Sequence, residues 1–246
     1  MSIFAISDLH LAFDKEKPMD IFGENWTNHE EKIREDWQNK VKEGDLVLLP
    51  GDLSWAMNLE ENYKEFKYLE DLPGKKILLK GNHDYWWTTL ASMKKYLNEY
   101  DFKTIDFLHN NSFLYENQII AGTRGWINSN LEEDIKILKR ELIRLELSIE
   151  NGVKEFGNDK EIIVMMHYPP FIDEKIGISF IDLMNKYNVK TCIYGHLHGY
   201  FGNVAKVNYN VGTGFHARPS TNEADTTRRT RGRADMESAP TAYNSI

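Results

Sequence analysis

Ile3-Phe4-Ala5-Ile6-Ser7-Asp8-Leu9-His10 sets the pattern from which the fold is read: an apolar run halts at a carboxylate and an imidazole two residues apart. The pattern returns four times. Leu46 to Pro50 runs into Gly51-Asp52, Ile77 to Lys80 into Gly81-Asn82-His83-Asp84, Ile162 to Met166 into His167, and Thr191 to Tyr194 into Gly195-His196-Leu197-His198. Short aliphatic runs that do not alternate with polar residues predict strands covered on both faces, as in a sheet flanked by helices. The polar clusters then gather at the C-terminal ends of those strands.

Helical spacing fills the intervals. Thr27-Asn28-His29-Glu30 has the form of a capping box, and Ile33, Trp37 and Val41 follow it towards a stop near Gly44. Leu59, Tyr63, Phe66 and Leu69 continue the pattern until Leu72-Pro73-Gly74. The longest helix is predicted from Leu131 to about Asn151, with Gly152 as its stop, and a further one near Ser179 to Tyr187. Phe113 to Tyr115 and Gln118 to Ala121 flank Glu116-Asn117 as a hairpin, which predicts mixed sheets. The expected fold class is therefore α/β.

The chain has 246 residues, 41% hydrophobic and 28% charged, the composition of an ordinary globular protein. Its longest apolar run, Ile162 to Met166, is far below the roughly 18 residues of a membrane span. The start, from Met1 to Leu11, lacks a basic leader and a long apolar segment, and the lone Cys192 cannot form an internal disulfide. A cytoplasmic protein is expected. A formal net charge of −8 disfavours a long nucleic-acid partner, because such affinity comes from Lys and Arg displacing counterions. Oligomeric state is not legible.

Basic-residue usage divides the chain. Up to Phe215 there are 21 Lys and four Arg (Arg34, Arg124, Arg140, Arg144), whereas residues 216–246 hold five Arg and no Lys. That terminal segment lacks Ile, Leu, Val, Phe and Trp before Ile246, so residues 1–215 are expected to form the domain and 216–246 a disordered or non-native tail. Lys206 to Val211 is expected to begin a last strand by its alternation.

Five of the eight histidines, His10, His83, His167, His196 and His198, fall inside the strand-end clusters. Imidazoles grouped with carboxylates suit a divalent transition metal such as Mn, Fe, Co, Ni or Zn. The glycines in these clusters are expected to turn the chain sharply over the sheet edge.

With Asp-x-His, Gly-Asp, Gly-Asn-His-Asp, a lone His and Gly-His-x-His in this order from Asp8 to His198, the sequence resembles the calcineurin-like metallophosphoesterase superfamily, and within it small bacterial phosphohydrolases. The resemblance implies a four-layer αββα sandwich of two mixed sheets. It also implies two divalent metal ions, with Mn, Fe or Zn expected: one held by Asp8, His10 and His198, the other by Asn82, His167 and His196, and Asp52 bridging both. Two such ions about 3.5–4 Å apart can hold an attacking hydroxide and the phosphoryl oxygens for in-line displacement.

His83 beside Asn82 is expected to act as a general acid towards the departing alkoxide, with Asp84 orienting it and favouring its charged form; the plainer reading makes the pair a helix cap. Arg124 and Trp126 either hold a phosphate or base at the mouth or pin a loop. Trp55, Tyr85, Trp86, Trp87 and Tyr168 either wall a cleft or pack loops. His29, His109 and His216 are read as surface or loop residues. The leading function is hydrolysis of small phosphomonoesters or phosphodiesters. The alternatives are a non-catalytic protein-binding module that keeps the fold, and a nuclease of short oligonucleotides.

Overall fold

A computed structural model describes residues 1–15, 17, 19–126, 131–170, 179–198, 210–211 and 216–218. One five-stranded sheet has the order β10-β1-β2-β3-β4, from β1 (Ile3–Ala5), β2 (Leu46–Leu49), β3 (Lys75–Leu78), β4 (Ile105–Phe107) and β10 (His216–Arg218). The other runs β5-β6-β7-β8-β9, from β5 (Phe113–Tyr115), β6 (Gln118–Thr123), β7 (Glu161–Met166), β8 (Thr191–Tyr194) and β9 (Asn210–Val211). Both sheets are mixed. β10 on β1 and β5 on β6 are antiparallel, and the remaining pairs are parallel.

Three apolar layers explain the unbroken apolar runs. Ile3, Ala5, Leu46, Leu48 and Ile77 of the first sheet meet Ile120, Ile163, Met165 and Ile193 of the second between the sheets. The alternate residues Phe4, Val47, Leu49 and Leu78 face outward onto α1 (His29–Lys40), α2 (Tyr63–Glu70) and α3 (Leu90–Glu99), through Trp37, Phe66 and Met93 among others. Across the molecule Ile119, Val164, Cys192 and Tyr194 pack on α4 (Glu132–Phe156) and α5 (Phe180–Lys186). With apolar cover on both faces, no strand residue needs to be polar, which is the αββα sandwich expected from the motifs. Among the described residues no helix is long and apolar enough to cross a membrane.

Several local expectations are corrected. The Thr27–Glu30 capping box does not form: Asn28 stands at the helix start in the left-handed region, without a side-chain cap bond. The Glu30 carboxylate lies 3.0 Å from His29 Nδ1 instead. The same helix ends at Lys40, short of Gly44. α4 runs through Gly152 to Phe156, because the helix lies so close to β6 that a Cβ at 152 would stand 2.5 Å from the Ile119 side chain. The glycine serves packing there, and the chain leaves the helix at Gly157.

His216–Arg218 pairs with Ile3–Ala5, so the expected boundary at 215 falls inside the first sheet. Backbone hydrogen bonding to an edge strand does not require the apolar side chains whose scarcity suggested a free tail. The rest of that segment, 219–246, lies outside the described residues, as do 206–209 of the expected last strand.

Candidate metal centre

All seven expected ligands come from loops at the C-terminal ends of β1, β2, β3, β7 and β8. The loops after β1 and β2 run side by side, with Asp8 N donating to Gly51 O at 3.0 Å and His10 N to Asp52 O at 3.0 Å. Asp8, His10, Asp52 and His196 have φ values of 60°, 47°, 55° and 72°. Left-handed backbone at a residue with a side chain costs about 1–3 kcal/mol and persists where the surroundings over-determine it. Four such residues at one sheet edge turn their side chains inward together.

Gly51 turns the chain as expected, whereas Gly81 and Gly195 have a different task. At 81 and 195 the requirement is space: a Cβ at 81 would lie 2.1 Å from Asp52 Oδ1, and one at 195 would lie 2.6 Å from Asp8 Oδ2. Only Gly51 of the three has positive φ, at 99°.

Two overlapping donor groups result. Asp8, His10 and His198 form one, and Asp8, Asp52 and His167 the other, each with ligand atoms within 4.8 Å of one another. His198 Nε2 is 3.1 Å from Asp8 Oδ1 and 3.2 Å from His10 Nε2. Asp52 Oδ2 lies 3.5 Å from His167 Nε2 and 3.8 Å from His10 Nε2. Asn82 Oδ1 is 2.6 Å from His167 Nε2 and 3.0 Å from His196 Nδ1. Its carbonyl thus joins the second group to His196.

The donor chemistry fits a cation. His167 Nδ1 lies 2.9 Å from the Pro50 carbonyl oxygen, which can only accept, so Nδ1 carries the proton. Burial pushes the His167 imidazole down to about 4, which leaves Nε2 with a lone pair. That lone pair faces Asn82 Oδ1 and Asp52 Oδ2, two further acceptors. Oxygen and nitrogen lone pairs converging in a buried place are repulsive unless a positive ion lies among them.

The carboxylates agree. Burial first, then the Asp84 and Asp8 charges, push Asp52 upward, as expected of an anion whose neutralising charge is not supplied by its own side-chain neighbours. Burial would also raise Asp8, but the hydrogen bond from His198 and the adjacent imidazoles outweigh it and hold that carboxyl well below the usual range. Burial drives His10 down to about 3.

Asp84 departs from its expected role. Its carboxylate accepts from Gly81 N at 2.7 Å, Asp52 N and Leu53 N each at 2.9 Å, Ser54 N at 3.4 Å and Trp86 Nε1 at 3.0 Å. It clamps the β2 and β3 loops together, and among the described residues it makes no hydrogen bond to the His83 ring, whose Nδ1 has no partner. His83 is tied to the site through its backbone N–H, which donates to Asp52 Oδ1 at 2.8 Å. Its ring packs against Trp55 at 4.5 Å, its Nδ1 is buried without a hydrogen-bond partner, and burial lowers its proton affinity. Neither residue caps α3, whose cap is Thr89.

Of the aromatic candidates, Trp86 and Trp87 are core residues and Tyr168 is buried against His196, with rings 4.3 Å apart. Trp55 stacks on His10 at 5.1 Å, and Tyr85 is exposed. Trp126 is held by Asp134 and lies under the Arg124 guanidinium at 4.4 Å. His29 is buried, with Nε2 2.9 Å from Leu9 O, so it braces the Asp8–His10 loop instead of lying at the surface. The orienting Pro50 carbonyl was not foreseen, since a backbone oxygen leaves no mark in residue identity.

The profile of the calcineurin-like phosphoesterases matches residues 1–200. The chain belongs to that family. No curated protein matches. Among solved structures, the chain resembles AQ665 from Aquifex aeolicus, a protein of unknown function, at 19% identity and a TM-score of 0.45 over 85% of this chain and 88% of that one. It also resembles phosphopantetheinyl hydrolase (PptH) from Mycobacterium tuberculosis, at 12% identity and a TM-score of 0.49 over 85% and 87%. TT1561 of Thermus thermophilus follows at 14% and 0.48 over 78% and 80%. Likenesses at this level say nothing about substrate. Family membership makes the chain a metal-dependent phosphoesterase in general terms, and the two donor groups above are able to hold a metal ion.

Proposed function

We propose that the protein hydrolyses small phosphomonoesters or phosphodiesters with two divalent ions at the strand-end site. The observation that carries this reading is the meeting of His167 Nε2, Asn82 Oδ1 and Asp52 Oδ2 as acceptors in one buried place, beside the group of Asp8, His10 and His198. Asp8, His10 and His198 would hold one ion and Asn82, His167 and His196 the other, with Asp52 shared. When bound, such ions supply Lewis acidity, which acidifies water and neutralises phosphoryl oxygens.

The polypeptide supplies position and protons. Pro50 fixes His167 in one tautomer, and the Asp84 clamp fixes Asp52 over the site. His83, held by its backbone N–H on Asp52 and by Trp55 on its ring, gives a proton to the departing alkoxide. A neutral amide at Asn82 keeps one ligand from adding negative charge against an anionic ester.

The intact donor set supports catalysis over a binding-only module. The acidic balance supports small substrates over long nucleic acids, and buried Cys192 fits a reducing cytoplasm. Chelator-treated protein should be inactive on p-nitrophenyl phosphate and bis(p-nitrophenyl) phosphate, with activity restored by Mn as about two ions bind per chain. Persistent turnover in metal-free protein overturns the proposal, and one saturating ion overturns its dinuclear form.

A further inference from the structure

A cavity of about 570 Å³ opens at the C-terminal ends of β3 and β6, lined by Lys80, Arg124, Arg140, Arg144, His109 and Glu141 among others. Three of the four arginines before residue 216 stand here, where the other basic residues of that stretch are Arg34 and 21 lysines, in a chain whose net charge is −8. Four cations face one buried carboxylate. Glu141 is already engaged, accepting from Thr123 Oγ1 at 2.6 Å and Arg144 Nη1 at 2.7 Å, with Arg140 Nε at 3.8 Å.

Among the described residues neither Lys80 nor Arg124 forms an ion pair, and Arg124 Nε is buried without a hydrogen-bond partner. His109 Nδ1 accepts from Trp87 Nε1 at 2.9 Å, so the neutral ring keeps its proton on Nε2 as a further donor. The cavity is therefore rich in donors and poor in acceptors, the reverse of the metal centre. Arginine forks match phosphate oxygens two at a time, which a lysine cannot do.

The cavity is joined to the catalytic end by covalent neighbours. Lys80 precedes Gly81-Asn82, and the Arg124 carbonyl accepts from His167 N at 3.2 Å and Tyr168 N at 2.9 Å. We infer that this cavity binds a phosphate group, either a second phosphoryl group of the substrate or free phosphate, through Lys80, Arg124, Arg140 and Arg144. The substrate form of the inference rests on the phosphoesterase reading above.

The probe is inorganic phosphate, titrated by calorimetry into chelator-treated, dialysed protein, so that the metal site contributes no binding. Arg124→Gln and Arg140→Gln, made separately, should each weaken phosphate binding by about tenfold, the loss of a charge-assisted hydrogen bond. Arg34→Gln removes the same charge from α1, where Arg34 lies over Tyr68, and should leave binding unchanged. Arg140 is largely exposed, so its variant tests the site without disturbing the core.

In metal-loaded protein, the ratio of KM for ADP to KM for p-nitrophenyl phosphate should rise by about tenfold in the cavity variants if a substrate phosphoryl group is the occupant. An unchanged ratio with weakened phosphate binding assigns the cavity to free phosphate. Undetectable phosphate binding, or binding lost equally in Arg34→Gln, overturns the inference. The phosphate titration involves no turnover, so its failure is separate from any absence of hydrolysis, which would overturn the phosphoesterase reading alone.

Discussion

The two halves of the sandwich contribute different chemistry to the site. The first sheet supplies Asp8, Asp52 and Asn82 together with His10, and it locks the β2 and β3 loops through the five N–H groups that Asp84 accepts. The second sheet supplies only imidazoles, His167, His196 and His198. These are oriented across the sheet boundary, by Pro50 O at His167 Nδ1 and by Asp8 at the His196 backbone N–H. Carboxylate charge and rigidity thus lie on one side and imidazole nitrogen on the other. Cations shared between them would fasten the halves together, so metal binding should be worth stability as well as activity.

The strongest way to break this asymmetry is Asp52→Asn. The change removes an anion that lies 3.8 Å from an imidazole of one half, His10, and 3.5 Å from one of the other, His167. Several kcal/mol of charge stabilisation are at stake, so kcat/KM should fall by about 10³ or more. Metal analysis should show at least one ion lost; two bound ions with near-normal turnover would remove Asp52 from the bridging position. Next comes His83→Ala, which alters the first half without touching a ligand. Hydrolysis of alkyl esters should slow by about 10²-fold and aryl esters much less, since a good leaving group needs little protonation. Equal losses on both, with lost metal, would make His83 structural.

These contrasts show what the sequence could and could not disclose. Strands and ligands were legible because each apolar run ends in its own polar cluster, and a strand sends its next residues over the sheet edge whatever the distant packing. Asp84 was misread because adjacency to His83 says nothing about direction in a turn whose backbone supplies most of the donors. The arginine cavity was half visible. Arg124 follows a strand, but Arg140 and Arg144 come from α4, and their i,i+4 spacing marks a shared helix face without saying what it meets. That three of the four arginines before residue 216 fall between residues 124 and 144 was a compositional signal available without a structure.

Asp84→Asn sharpens the comparison at smaller amplitude. An amide offers one acceptor oxygen where the carboxylate offers two, so buried N–H groups at Gly81 and Asp52 are left unpaired, each costing about 1–3 kcal/mol. The melting temperature should drop, and metal affinity should weaken by about 10–100-fold, as when a ligand's support is removed. Normal metal affinity with a displaced acidic limb in the pH–rate profile would restore the role next to His83 that adjacency suggested.

Protons should follow the same division. In metal-free protein, His10 at about 3 and His167 at about 4 lie below the ordinary value of 6.5, so the unfolded chain binds more protons between those values. Their contribution to stability is present above 6.5 and is lost as pH falls towards 4. Asp52 has the opposite sign: its raised affinity favours the folded chain in acid, a contribution lost as pH rises through its folded value. Metal uptake must ionise Asp52 but finds His10 and His167 already neutral. Calorimetry in two buffers at about pH 6 should therefore show proton release that fades as pH rises through the raised value of Asp52. Absence of release at that pH would mean that Asp52 is already ionised in the folded chain.

The smallest effect concerns buried charge in the two helix-facing layers. In the second half Glu141 has Arg144 and Thr123 as partners, whereas in the first half Lys76 of β3, fully buried, reaches the Leu72 carbonyl and Thr104 Oγ1 and no carboxylate among the described residues. Burial lowers the Lys76 ammonium from 10.5 to about 8. Below pH 8 it is charged in both states and the desolvation cost is borne in full; between 8 and 10.5 the unfolded chain holds a proton that the folded chain has released, so stability rises with pH. Lys76→Met removes that cost but leaves Leu72 O unpaired, two terms of about 1–3 kcal/mol with opposite sign, so stability near neutrality should change by no more than about 1 kcal/mol. The distinguishing result is the slope. In urea melts, wild-type stability should gain on the variant as pH rises from 8 towards 10.5, and parallel curves would show that Lys76 keeps its ordinary proton affinity inside the first half.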